Sequence, residues 1–163
     1  MRIYSSRCHT FEYTVTTPSP AAIDLEPAAL GVTNTFSDCL LLMVGVERGD
    51  LSFSKVATKN VWRIAAKTHA TCIVINGFAH LASPGERSDV PTALSVLSNL
   101  AERLQQRGVQ VHLMPFGWNK RWQADVLDGE WEQRVVHLPT ASANHDGQHS
   151  AAPETTLRID ARI

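Results

Sequence analysis

CLLLMVGVE, residues 39–47, runs from Cys39 to Val46 without a polar side chain. A run of that length with no alternation marks a strand covered on both faces, so it belongs inside a sheet with further layers around it. TCIVING, 71–77, is another buried strand of this kind, and VQVHLM, 109–114, is an apolar strand that alternates, with His112 inside it. Between the first two, Phe53, Val56, Ala57, Val61, Ile64 and Ala65 recur at helical spacing, which predicts a helix over 53–68 with Ser52 or Ser54 as its cap. Between the second and third, Leu94, Leu97, Ala101 and Leu104 form the inner face of a helix. It begins near Pro91, is capped by Ser88 or Asp89, and is closed by Gly108. Strand, helix, strand, helix, strand is the order of an α/β domain, here a single layered one with a β-sheet and two main helices.

The flanks are less regular. Ile3 and then Phe11, Tyr13 and Val15 predict short strands at 2–4 and 11–15, around a polar turn SSRCHT. Residues 17–37 hold three prolines and no clean period, which reads as a loop or flap. After the corner PFGWNK, 115–120, the segments 121–127 and 130–138 flank Asp128-Gly129 and predict a hairpin. The domain thus spans 1–138. Residues 139–156 are small, polar and aperiodic, a linker or disordered tail, and LRIDARI, 157–163, alternates as a terminal edge strand would.

With 163 residues the chain has one domain's worth of core. Lys plus Arg number 15 against 16 for Asp plus Glu, which excludes a protein that binds nucleic acid through overall basicity and requires a local patch instead. Cys8, Cys39 and Cys72 are odd in number, widely spaced and free of any C-x-x-C pair, so they read as buried thiols and not as a disulfide framework or zinc site. No metal or other cofactor is expected. The N-terminus lacks a continuous apolar segment, and no run nears the ~18 apolar residues of a membrane span. A cytoplasmic location with no membrane partner is the expectation.

Two strand ends carry candidate chemistry. The PFGWNK corner sets Trp118, a carboxamide at Asn119 and a cation at Lys120 beside Gly117, suited to a carbonyl-bearing or anionic ligand. The loop after 71–77 carries His80. Loops leaving the carboxyl ends of sheet strands converge on ligand sites, where a histidine and a lysine can position a water and stabilise an oxyanion. On the predicted first helix, Lys55, Lys59, Arg63 and Lys67 recur every four residues with no acid between them. A phosphate backbone alongside would relieve their repulsion; a plain solvated face is the alternative.

MRI…FEY at the start, CLLLMVGVERGD at 39–50, IVINGFAHLAS at 73–83 and VHLMPFGWNK at 111–120 together resemble the editing domain at the N-terminus of archaeal threonyl-tRNA synthetases, which shares its fold with D-aminoacyl-tRNA deacylases. The resemblance implies hydrolysis of the ester joining a wrongly attached L-serine to threonine tRNA. It further implies that Lys120 orients the reacting groups and His80 contacts the substrate sugar, with Val46, Ala79, Trp118, Asn119 and a glutamate around the substrate. Glu130 and Glu132 both lie near that glutamate's position, and Glu132 is taken here. A homodimer is implied as well. The chain departs from the family at Arg7, Cys8 and His9, where a His-Ser-Asp-like triplet is usual, and at Asn119, where tyrosine is common. A freestanding protein acting in trans is expected to bind aminoacyl-tRNA through Lys55, Lys59, Arg63 and Lys67, and to serve a threonyl-tRNA synthetase lacking its own editing domain. The alternative is a catalytically inactive tRNA-binding or synthetase-docking module.

Overall fold

The computed structural model describes residues 1–139; the expected tail and terminal strand fall almost entirely outside the described residues. The elements are β1 (Arg2–Pro18), β2 (Thr33–Gly45), α1 (Ser54–Lys67), β3 (Cys72–Gly77), α2 (Val90–Gln105), β4 (Gln110–Leu113), β5 (Trp118–Val126) and β6 (Gln133–His137). Single 3-10 turns cover Pro27–Ala29, Asp50–Phe53 and Ala79–Leu81. The sheet order is β4-β3-β2-β1-β5, with β6 also on β1. β2, β3 and β4 run parallel, and β1 pairs antiparallel with each of its neighbours.

The helices form largely where the spacing predicts them. Asp89 caps α2, its carboxylate accepting the Thr92 N–H at 2.8 Å, with Pro91 in the first turn. α1 has no side-chain cap. Ser52 and Ser54 instead donate backward to the Gly49 and Leu51 carbonyls, closing the preceding 3-10 turn, because that turn already leads the chain into helical geometry.

The N-terminal region differs from expectation. SSRCHT is not a turn but the middle of one 17-residue strand. Ser5, Ser6 and Arg7 are buried there, while His9 and Thr10 face solvent. Arg7 donates to the Thr68 and Cys8 carbonyls and to Asp38, and Ser5 donates to the Arg134 carbonyl. The proline-rich segment is a loop over 19–32, but residues 33–37 already belong to β2.

The predicted hairpin is also absent. β5 and β6 do not pair with each other; they lie end to end along one edge of β1, β6 against Arg2–Ser6 and β5 against Cys8–Pro18. A strand of 17 residues exposes more ladder than either segment can fill, so the chain runs on past Asp128-Gly129 instead of reversing. The Leu127 N–H to Arg7 and the Arg7 N–H to Glu132 bridge the gap.

A bend gives the sheet its shape. The β1–β5 register shifts between Cys8 and Thr10, and Asp38 across from it has φ 51°. Beyond this point the sheet folds back over itself. Tyr13 Oη meets His112 Nε2 at 2.7 Å. Yet Tyr13 pairs with Asn34 while His112 is level with Leu41 through Val74, seven residues further along β2 (41 − 34). On a flat sheet that offset is about 23 Å. Burial raises the pKa of Tyr13 and lowers that of His112, so a neutral phenol and a neutral imidazole share this hydrogen bond.

Two cores result. Ile3, Leu40, Leu42, Val44, Ile73 and Ile75 pack under the helices against Val61, Ile64, Val96, Leu97, Leu100 and Leu104. Phe11, Tyr13, Val15, Leu41, Val74 and Met114 fill the inside of the bend. Cys8 faces Cys39 and Cys39 is level with Cys72, so the three free, buried thiols line up across three strands in this second core.

Candidate functional site

The carboxyl ends of β2 and β3, the loop after β3 and the β4–β5 corner enclose a cavity of about 300 Å³. Its lining brings together Ala79, His80, Trp118, Asn119 and Lys120 from the sequence expectations, and adds Met43, Asn76, Phe116 and Ser19. The approach of its walls depends on glycines. A Cβ on Gly45 would lie 2.5 Å from the Ala82 nitrogen and 2.8 Å from the Leu81 carbonyl carbon, so only glycine lets the turn carrying His80 cross the end of β2. Gly117, at φ 75°, has the Ala21 carbonyl where its side chain would be. That contact seats the corner against the loop after β1, where the Trp118 indole N–H donates to the Ile23 carbonyl at 2.8 Å and the Ser19 N–H to Gly117 at 2.9 Å.

Lys120 pairs with Val15 on β1, and its ammonium donates to the Trp118 carbonyl at 2.9 Å. Burial brings its pKa down to about 8, so near neutrality it is a cation whose proton is loosely held. His80, also in the lining, is exposed, edge-on to Phe78 at 5.5 Å, with Arg87 3.5 Å from its Nδ1. Among the described residues no Asp or Glu lines the cavity. The arrangement offers positive charge to a developing oxyanion, an aromatic wall and carboxamides for neutral groups. Among the described residues no cluster of His, Cys, Asp or Glu is placed to hold a metal ion, and no helix is long and apolar enough to cross a membrane.

The loop bearing His80 is tied down by Glu47. One carboxylate oxygen accepts the Ser83 N–H and hydroxyl, both at 2.8 Å, and the Arg2 Nε at 3.2 Å; the other accepts the Met1 ammonium at 3.0 Å. Asp50 shares that ammonium at 2.7 Å. The two carboxyls titrate in opposite directions. Burial pushes Glu47 upward, but the Ser83 donors and the ammonium outweigh it and hold its pKa at about 2. Asp50 is fully enclosed with fewer donors, and burial wins, raising its pKa.

Two expected site residues lie off the cavity. Val46 is buried in the helix-side core, its carbonyl accepting the Ser88 N–H. Glu132 precedes β6, its carboxylate accepting the Trp131 N–H at 3.0 Å; Glu130 sits beside Trp131 as well. Arg7, Cys8 and His9 are at the bend, and none lines the cavity.

The basic stripe is exposed along α1, on the helix layer. It divides in two. Arg63 and Lys67 stand 5.2 and 5.9 Å from the Trp131 ring centre, joined by Arg134 at 4.7 Å. Lys55 instead borders a shallow pocket with Arg103 and Arg107 of the α2 end. The contribution of α2 escaped sequence reasoning, because nothing in either helix alone shows that their ends meet. Asn76 escaped too, though a polar residue closing an apolar strand was a visible irregularity.

A sheet of mixed direction backed by two helices, bent over its own second core and opening on a cavity at the parallel strand ends, defines an α/β domain of the D-aminoacyl-tRNA deacylase-like type. The solved structure of the c-Myc DNA Unwinding Element Binding Protein superposes with a TM-score of 0.61, covering 86% of this chain and 100% of that one at 10% identity. The chain belongs to the family described as the Archaea-specific editing domain of threonyl-tRNA synthetase, whose pattern matches residues 1–130. It is 30% identical over 127 residues to the threonine–tRNA ligase of Methanobrevibacter smithii, covering 76% of this chain and 20% of the ligase. With that of Thermofilum pendens it shares 35% over 96 residues, 57% of this chain and 16% of the ligase. The matched part is thus a fifth or less of these relatives' length.

Proposed function

We propose that the protein hydrolyses mischarged aminoacyl-tRNA, removing L-serine from threonine tRNA in trans. The observation that carries this reading is that Lys120 and His80, which lie 40 residues apart in sequence (120 − 80), line one small cavity with no carboxylate among its described lining residues. An aminoacyl ester is already activated, so a held water and a stabilised oxyanion suffice. Water adds to the ester carbonyl, the Lys120 ammonium offsets the charge on the carbonyl oxygen, and the bond to the ribose oxygen breaks. That oxygen takes up a proton, leaving free serine and deacylated tRNA. His80, on the exposed rim, contacts the sugar.

Editing of this kind answers a shortage of binding energy. One methyl distinguishes serine from threonine by only ~1–3 kcal/mol, and a second site that admits the smaller residue adds the missing selectivity. The tRNA backbone lies along Lys55, Lys59, Arg63 and Lys67 with Arg103 and Arg107; the three cations gathered around Trp131, none of them in an ion pair among the described residues although Glu130 and Glu132 lie near, favour an anion there. A homodimer in the cytoplasm, serving a threonyl-tRNA synthetase without its own editing domain, completes the proposal.

Turnover of seryl-tRNA by wild type and Lys120→Met tests it. Lys120→Met should lose about 100-fold or more in kcat while melting normally, on the scale of removing one oxyanion donor. Wild-type turnover in that variant refutes the role of Lys120. Saturable, salt-dependent binding without any turnover by the wild type establishes the binding-module alternative instead.

A further inference from the structure

β3 alternates cleanly. Ile73 and Ile75 face the helices, and Cys72 and Val74 face the inside of the bend. Asn76 continues the second series, where an apolar side chain would be expected, and the strand reaches the cavity at this residue. It is 8% exposed. Its Nδ2 donates only to the Met43 thioether, at 3.5 Å, a weak acceptor. Its Oδ1 has no partner, and it is the single buried side-chain oxygen or nitrogen among the described residues left so. A buried acceptor without a donor destabilises a fold that a leucine in its place would not burden.

A ligand is the natural donor. Oδ1 is a single neutral acceptor with no carboxylate among the described lining residues beside it, so it suits a neutral donor, whereas the α-ammonium of an aminoacyl ester would be poorly compensated at this one oxygen. A hydroxyl carries one proton to donate and no charge. The torsion that turns a terminal carboxamide is soft, so Oδ1 reaches a hydroxyl in the cavity at little cost.

We propose that Asn76 is a substrate-binding residue that reads the side-chain hydroxyl of the acyl group, its Oδ1 accepting that proton. This rests on the editing reading and adds the group that selects hydroxylated over purely apolar small amino acids. Steric fit, not Asn76, separates serine from threonine, since both carry the hydroxyl. A site built to bond a hydroxyl rejects the analogue lacking it far better than an apolar pocket rejects a missing methyl.

The test compares seryl- and alanyl-tRNA carrying the same threonine tRNA body, with wild type and Asn76→Leu. Binding of the non-hydrolysable 3′-amide analogues of seryl- and alanyl-adenosine is measured alongside. Asn76→Leu should lower the Ser/Ala ratio of kcat/KM by about 10- to 100-fold, mostly by slowing serine, and should shift the analogue affinities the same way. It should melt at or above the wild-type temperature, which a residue serving the fold would not do. An unchanged Ser/Ala ratio overturns the assignment of Asn76 while leaving editing intact. Equal loss on both substrates, or a lower melting temperature, overturns it too. A wild type that neither turns over nor binds either probe refutes the editing reading, and the assignment with it.

Discussion

Replacing Glu47 with glutamine should expose a pH-dependent part of this protein's stability. Glu47 joins the start of β1, the end of β2 and the loop that carries His80, and it does so as an anion at 6% side-chain exposure. Its pKa stands at about 2 against an ordinary 4.5. At about 1.4 kcal/mol per pKa unit, the folded state favours the anion by about 3 kcal/mol. The folded value is the lower one, so this contribution is complete above the unfolded value of 4.5 and is lost as pH falls toward 2. Near pH 3 about 1 kcal/mol is left.

Urea titrations of wild type and Glu47→Gln at pH 7, 5 and 3.5 measure the difference directly. It should be about 3 kcal/mol at pH 7, the upper end, nearly the same at pH 5, and clearly smaller at pH 3.5. Part will be recovered because Glu47 helps raise Asp50, whose charge becomes easier to hold once its neighbour is neutral. A difference that stays constant from pH 7 to 3.5, or that is under ~0.5 kcal/mol at pH 7, would refute the picture of Glu47 as a buried anion held by the Met1 ammonium and Ser83.

Two further outcomes follow from the cavity. Gly45→Ala must displace backbone atoms by about 1 Å to relieve the contacts with Leu81 and Ala82, which should destabilise by about 1–3 kcal/mol and cut editing kcat/KM about 100-fold by moving His80; wild-type rates in thermally normal protein would show that the turn is not rigidly seated. If Lys120 works as a cation, kcat corrected for spontaneous ester hydrolysis should fall as pH rises through about 8, whereas Lys120→Arg should be slower but flat there. A wild-type rate that rises through the same range would make Lys120 a base.

Much of the architecture is legible from local pattern. The apolar runs at 39–47, 71–77 and 109–114 give the three parallel strands, and the helical spacing between them gives α1 and α2, because burial against a covered face repeats with the period of the element itself. The Pro-Phe-Gly-Trp corner reads as a site for the same reason: Gly117 is needed wherever the chain turns left-handed against another backbone.

What tertiary structure alone decided depends on partners distant in sequence. Ser5 and Arg7 look like part of a turn until Thr68, Asp38 and Arg134 supply their hydrogen bonds. β5 and β6 look like a hairpin until a 17-residue β1 offers one long edge to both. The bend at Asp38 and Cys8 brings Tyr13 to His112, and convergence of distant segments at the strand ends makes Asn76 part of a cavity while leaving Val46 and Glu132 outside it. Periodicity reports which way a side chain faces. It carries no information about which distant segment it meets, and in this protein that meeting sets both the bend and the composition of the site.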